Sequence, residues 1–386
     1  MKKNILVPMA GVGKRFTDQN YILPKQLLTI KGKNLLEISL KSLIFDNEDH
    51  LIFIVRKETN LEFNIGEIIK NKFEANEITI IEIEEKTRGS VESCLKAKDI
   101  INNNTPLIIH TLDVEFFPKI QTSDLINEGD GHILTFKSNS ENYSYVQKDE
   151  DGNVTKTAEK KVVSNDACVG VYVFNKGEDF VKYGEEMIEK EITTKGEFFI
   201  TPLYNLLIEN NKKILTTKVE KIHIFGTPEE FEFYKNNVAI SFGDKPIGLC
   251  SDHSGFELKE SFKQELDKRG MEFLDFGTYS EEDCDYQPFV EVASKSIVSK
   301  EMDHILGFCR TGQGVNIVAN KNEGVRSALV YSKYSLEMSI RHNCVNFFSL
   351  PNTLIENEMT VSEVIDVLLN TTFDGGRHQV RIQSIE

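Results

Sequence analysis

ILVPMAGVGKRFTDQNYILPKQL, residues 5–27, is an apolar run that breaks into glycines and cations. Read as a strand, ILVPM leaves Gly11 and Gly13 where the backbone must turn and its N–H groups can face an anion. Lys14 and Arg15 add charge for the same anion, and Lys25, after Pro24, supplies a third cation. Strand, glycine turn and helix make the opening of a βα unit, and the pattern continues outward from it. LIFIV (51–55), ITIIEI (78–83) and LIIHTL (107–112) are short and β-branched, with amphipathic stretches at 34–45, 60–73 and 90–101 between them. Strand alternating with helix predicts a mostly parallel sheet covered on both faces. The stretch 132–175 changes character: HILTF, YSYVQ and ACVGVYVF, with DEDGN as a turn, predict antiparallel hairpins inserted in or beside that sheet.

A second βα series begins near residue 246. IGLC, helix 254–269, MEFLDFG, helix 288–299, HILGFC, helix 315–320, RSALVY, helix 333–343, NFFSL and helix 360–369 give five strand–helix units, a compact doubly wound pattern. AISFGDKP (239–246) joins the two series. The chain is thus read as α/β with two domains: a Rossmann-like mixed-sheet domain over 1–240 and a smaller doubly wound parallel-sheet domain over 245–386. A length of 386 residues fits two or three domains at roughly 150 residues each.

The net charge of −16 argues against nucleic acid or an anionic membrane as partner, because both repel a polyanion. Anionic substrates must then be held by local basic clusters. The N-terminus lacks the long apolar core of a secretion signal, and no stretch approaches the ~18 apolar residues of a membrane span. Six cysteines without CxxC spacing read as reduced thiols of a cytoplasmic protein. GVGKR lacks the GxGxxG spacing of a dinucleotide-dependent oxidoreductase.

With its context, the opening stretch resembles the sugar-phosphate nucleotidyltransferases. The resemblance runs from residue 1 to about 235 and includes several pieces in order. KTRGSVES (86–93), with Gly89, resembles the segment lining the nucleobase pocket. LIIHTLDVEF (107–116) resembles the strand ending in a metal-binding aspartate, here Asp113. AEKK (158–161) resembles the Glu159–Lys160 pair that contacts the sugar and its phosphate, GEFFITPLYN (196–205) the helix closing the sugar pocket, and FGTPEE (225–230) a late element of the family. The resemblance implies attack of a sugar phosphate on the α-phosphorus of a nucleoside triphosphate, with pyrophosphate leaving. In it Asp113 holds Mg²⁺, Arg15 steadies the pyrophosphate, and Lys25 and Lys160 neutralise the incoming phosphate. Gly11, Gly13 and Lys14 belong to the nucleotide side. Many relatives carry a second metal-binding aspartate two residues before the late glycine; that position is Ile224, so the second ligand stays open, with His223 a neighbour.

The second series carries a different chemistry. Aldose–ketose isomerisation needs a base between adjacent carbons, donors for an enediolate oxygen and a cationic pocket for phosphate. Cys309 ends a strand and opens the loop RTGQG; alone it reads as a buried inert thiol, but a thiolate facing loop amides has a route to a lowered pKa, and its neighbours reverse the reading. SDHSGFELK (251–259), FGTYSEEDCDY (276–286), CRTGQGVNIVANK (309–321), YSLEMSIRHN (334–343) and FDGGRHQVR (373–381) together resemble the ribose-5-phosphate isomerase type B and galactose-6-phosphate isomerase family over 246–386. The resemblance makes Cys309 the base of a cis-enediol mechanism, with Thr311 assisting at the sugar hydroxyls and Gly312 and Gly314 in the oxyanion loop. Asp252 and His342 open the ring, and His253, Arg377 and Arg381 bind phosphate. Arg326, in GVR, lies near the phosphate, often from a neighbouring subunit. No cofactor is implied for this domain, and a homodimer or higher homo-oligomer with shared sites is. Arg310 replaces the usual glycine, which is strained if that position requires a positive φ.

The two resemblances imply a bifunctional, cytoplasmic enzyme of nucleotide-sugar synthesis, by analogy in polysaccharide biosynthesis. In a direct relay, ribose 5-phosphate becomes ribulose 5-phosphate, which is coupled to CMP from CTP or to another nucleotide. In the alternative, one domain is catalytic and the other serves as a ligand-binding or oligomerisation module.

Overall fold

The structure, a computed structural model, describes residues 1–11, 13–126 and 128–385. The chain divides into two compact units, Met1–Glu232 and Phe233–Glu386. Residues 233–240, assigned from sequence to the first domain, therefore pack with the second. Phe233 and Val238 lie against Cys344, Phe373 and Ile382, and apolar burial holds the segment there.

In the first unit, β1 (Asn4–Pro8) runs parallel to β2 (His50–Arg56), and β2 to β3 (Glu77–Ile83). On its other side β1 is parallel to β4 (Leu107–His110). β5 (Val114–Phe117) follows outside this sheet. The mixed part is built from β6 (Gly131–Lys137), β7 (Tyr145–Lys148), β8 (Val154–Ala158) and β9 (Asp166–Phe174). β9 pairs antiparallel with β4, β6 and β7, and β7 forms a hairpin with β8. The order is β8-β7-β9-β4-β1-β2-β3, so the hairpins expected over 132–175 extend the parallel sheet rather than forming a separate layer. Along β1, Leu6 enters one core while Ile5 and Val7 enter the other, which is why consecutive residues 5–7 are apolar. A small ribbon pairs β10 (Lys221–Ile224) antiparallel with β5, placing Ile224 opposite Val114 and next to Asp113.

In the second unit, β11 (Ile247–Ser251), β12 (Phe273–Asp275), β13 (Ile305–Cys309), β14 (Ser327–Leu329) and β15 (Phe347–Pro351) form an all-parallel sheet of order β12-β11-β13-β15-β14. The helices between them, among them α1 (Phe256–Lys268), α2 (Gln287–Val298), α3 (Gln313–Ala319) and α4 (Lys333–Asn343), fall within two residues of the sequence-derived bounds. A short α5 (Arg377–Gln383) carries the terminal arginines. The strand order reverses between β11 and β13, and the carboxyl edge at such a switch point is where open α/β sheets bind ligands.

Candidate functional site

Asp113 follows β4 at the carboxyl edge of the first unit's parallel strands. Its carboxylate is engaged by the Lys25 ammonium, a contact between residues 88 apart in sequence. A cavity of about 500 Å³ opens beside it, lined by Arg15, Asp113, Lys160, Ile224, Gly226 and Glu230 among others. Lys160 Nζ stands 4.7 Å from the centroid of the Phe199 ring, which fixes a cation at the cavity wall. Glu159 sits behind it, accepting a hydrogen bond from the Ser144 hydroxyl, and burial raises its carboxyl above the ordinary value. A second cavity, about 230 Å³, is lined by Gly11, Gly13 and Lys25, so Lys25 stands between the glycine turn and the Asp113 side. Gly13 takes φ 64° and opens the short helix carrying Lys14 and Arg15, both exposed. Val12 lies outside the described residues.

Gly89 is not among the residues lining either cavity. A Cβ there would meet the backbone N and O of Phe198 at 2.5 Å, and Phe198 N donates to Arg88 O at 2.7 Å. Its glycine serves the zipping of segment 86–93 onto segment 196–205. His223 Nδ1 is 3.0 Å from Glu115 Oε2 on the β5–β10 ribbon and is not among the residues lining the Asp113 cavity. Sequence reading missed Glu230. It accepts from the backbone N–H of Thr227 at 2.9 Å, and its own N–H donates to the Thr227 hydroxyl at 3.2 Å. The T-x-x-E spacing of Thr227 and Glu230 is a local capping-box signal that could have drawn attention to it; the return of Glu230 to the Asp113 side has no local signal. Burial and the neighbouring Asp113 charge raise the Glu230 carboxyl, and Lys25 partly opposes them.

Among the described residues no group of three or more His, Cys, Asp and Glu side chains is placed to hold a metal. Mg²⁺ characteristically takes one or two carboxylates and completes its shell with substrate phosphates and water. The hard carboxylate oxygens of Asp113 and Glu230 on this cavity are therefore a donor set of the right kind.

In the second unit three loops meet at the β11/β13 switch point. Cys309, 5% exposed, ends β13, and its Sγ accepts the Gly312 N–H at 3.1 Å. Gly312 adopts φ 72°, and a Cβ there would run into Leu329 at 2.3 Å. Arg310 is not among the positive-φ residues, so the strain expected of a side chain at this position does not arise; it points outward, exposed. Thr311 is also exposed. Gly314 carries no Cβ because the Tyr286 ring lies 2.4 Å from where it would stand. Asp252 follows β11, with Oδ1 accepting the Gly255 N–H at 2.9 Å, and burial raises its carboxyl. His253 Nδ1 is 3.1 Å from Cys284 N, tying this loop to the segment after β12.

His342, Arg377 and Arg381 form a separate cluster. The His342 and His378 rings stack at 4.1 Å with 5° between planes, and Arg341 pairs with Asp374 at 3.1 Å. Burial and the charges of His342, Arg377 and Arg381 lower His378 to about 4. His378 was not singled out from sequence, although it lies within GGRHQVR. Cys309, Asp252 and His342, read together as one catalytic group, are not brought together within one chain. α4 starts from the carboxyl edge after β14 and runs back about 16 Å at 1.5 Å per residue, so His342 in its last turn reaches the amino edge. Arg326, just before β14, confirms the end: its Nε donates to Cys344 O at 2.9 Å, and its guanidinium also bonds Asn237.

A nucleotidyl transferase family model matches residues 5–216, more than half of the chain, and a ribose/galactose isomerase model matches 247–385. The chain belongs to both families. Its second unit is 33% identical over 141 residues to ribose-5-phosphate isomerase B of Escherichia coli, covering 36% of this chain and 94% of that protein. A putative sugar phosphate isomerase of Bacillus subtilis is 32% identical over 144 residues, covering 36% and 93%. A solved structure of a nucleoside-diphosphate-sugar pyrophosphorylase from Vibrio cholerae matches 60% of this chain and 99% of its own, at 25% identity and a TM-score of 0.53. The α/β two-domain architecture read from sequence is borne out, and the protein is an enzyme with a nucleotidyltransferase unit and a sugar-phosphate isomerase unit. No helix among the described residues is long and apolar enough to cross a membrane.

Proposed function

We propose that the first unit transfers a nucleotidyl group from a nucleoside triphosphate to a sugar phosphate, and that the second interconverts a pentose phosphate aldose and ketose. One observation carries the reading: each unit holds its reactive side chain, Asp113 or Cys309, at the carboxyl edge of its parallel strands, where a glycine-bearing loop also emerges. In the first unit the glycine turn and Arg15 hold the triphosphate, and Lys25 and Lys160 orient the sugar phosphate. Asp113 is the anchor for Mg²⁺, which when bound neutralises charge on the phosphates. In the second unit Cys309 takes a proton from the carbon beside the carbonyl and returns it to the neighbouring carbon through a cis-enediol. The Gly312 amide already points at Sγ, and Thr311 and the remaining loop amides are assigned to the sugar oxygens. This unit needs no cofactor.

His342, Arg377 and Arg381 lie at the opposite edge of their own sheet from Cys309. We therefore assign the complete isomerase site to two copies of the chain, one supplying Cys309, Asp252 and His253 and the other His342, Arg377 and Arg381. The ketose product, with its phosphate on the terminal carbon, is the acceptor for the transferase, CTP being the first donor to try. A cytoplasmic role in nucleotide-sugar supply for a surface polysaccharide fits these substrates.

The test is incubation of the purified protein with ribose 5-phosphate, Mg²⁺ and each nucleoside triphosphate in turn, following pyrophosphate and sugar products by mass. A nucleotide–pentose adduct, lost in Cys309→Ala and restored by ribulose 5-phosphate, is the expected result. Isomerisation without pyrophosphate release under any triphosphate would refute the relay.

A further inference from the structure

The position where many nucleotidyltransferases carry a second metal-binding aspartate is Ile224, buried at 4% exposure and without a donor atom. The backbone around it is intact: Ile224 pairs with Val114, and Phe225 N donates to Asp113 O at 2.9 Å. Two residues on, Gly226 has no side chain, and the space beside its α-carbon is shared by two carboxylates. A Cβ on Gly226 would stand 3.3 Å from Oε2 of Glu230 and 3.5 and 3.6 Å from Cβ and Cγ of Asp113. Asp113, Gly226 and Glu230 line the same cavity as Arg15 and Lys160.

We propose that Glu230 replaces the missing strand carboxylate, so that Asp113 and Glu230 together hold the divalent cation of the first unit. The proposal rests on the reading of that unit as a metal-dependent transferase. Reach explains the exchange of residue types. An aspartate at 224 would present its carboxylate from the strand. Glu230 comes from the helical turn that follows Pro228, and needs its extra methylene and the bare Gly226 to arrive beside Asp113. The donor set stays all-oxygen, as a hard cation requires, with the remaining positions left to phosphates and water. It also gives Gly226 a reason beyond turn geometry, since its φ is not positive.

The rival role for Glu230 is capping alone, through its bond to Thr227 N. Glu230→Gln separates the two, because the amide oxygen still accepts that bond but the charge is gone. Mn²⁺ alone is titrated into the protein and free ion is read by electron paramagnetic resonance. The site is defined as the binding removed by Asp113→Asn, which discounts adventitious ions on an acidic surface. Glu230→Gln is expected to weaken that site at least ~10-fold, the range in which even outer-shell partners of metal ligands act, with an unchanged melting midpoint. Ile224→Asp placed in the Glu230→Gln background is expected to restore it. Wild-type Mn²⁺ affinity in Glu230→Gln, with binding still lost in Asp113→Asn, would overturn the proposal and leave Glu230 a cap. No loss in Asp113→Asn would instead overturn the reading of the metal site itself.

Discussion

Replacing Gly255 with alanine tests the isomerase site through a residue that takes no part in the chemistry. Gly255 has φ −94° and ψ −2°, which any residue adopts, so backbone strain is not the issue. Its α-carbon packs directly on the end of β13. A Cβ would stand 2.5 Å from both C and O of Phe308 and 2.9 Å from Cys309 N. All three are backbone atoms and cannot swing aside. To reach even a tight contact, the 252–255 loop or the strand end must move by ~0.5 Å, an overpacking strain of about 1–3 kcal/mol. Because Gly255 N–H holds Asp252 Oδ1, either movement shifts Asp252 against Cys309. A 1 Å misplacement of reacting groups is worth about 100-fold in rate, so half of that predicts about a tenfold fall in turnover of ribose 5-phosphate. The assay is ketose formation under saturating ribose 5-phosphate; pyrophosphate release by the first unit, measured separately with ribulose 5-phosphate supplied, is the internal control. Turnover within about twofold of wild type, in a protein whose melting midpoint has fallen as expected, would refute the reading that this loop positions the site.

Lys259 is fully buried, with Nζ 2.5 Å from Asp275 Oδ1 and 2.6 Å from Thr278 O. Lys259→Met is expected to cost about 3 kcal/mol in urea unfolding, the low end for a broken buried pair because Lys263 also holds Asp275; a loss below about 1 kcal/mol would contradict it. Burial raises the Asp252 carboxyl, so across the window from the ordinary carboxylate value up to the raised one the folded chain binds more protons than the unfolded one. Stability attributable to this group therefore falls as pH rises through that window. Asp252→Asn, which keeps the Gly255 hydrogen bond, is expected to be inactive yet more resistant to urea than wild type at pH ~7, the gap closing toward pH ~4. Equal midpoints at both values would remove the burial penalty from the account. Co-expressed Cys309→Ala and His342→Ala chains are expected to recover about a quarter of wild-type isomerase activity, because half of the random dimers carry one intact and one doubly defective site; activity no higher than either single variant would show that the site lies within one chain.

Much of the second unit was legible because its signals are local. HILGF, the glycines after Cys309 and the helix-period pattern of 333–343 each state their conformation within a few residues, and the observed bounds differ by at most two. The antiparallel insertion was legible in part for the same reason, DEDGN being a local turn signal, although the polar strand that follows it, Val154–Ala158, was not read. Gly89 shows where local reading stops. The reason a glycine stands there was not local: a Cβ would strike the Phe198 backbone, more than a hundred residues away.

The amino-acid sequence by itself determined which segments are strands and helices, that two α/β units follow one another, and that a glycine loop stands beside cations in the first and beside Cys309 in the second. Period, turn chemistry and charge are properties of neighbours along the chain. Tertiary structure alone decided which distant groups meet. It set Lys25 on Asp113, brought Glu230 beside Gly226 and Asp113, and put Cys309 and His342 at opposite edges of one sheet. Those placements follow from strand order and from the direction in which each helix runs back across the sheet. An apolar pattern with a period of two or 3.6 residues specifies which face is buried, but not which strand lies next to which.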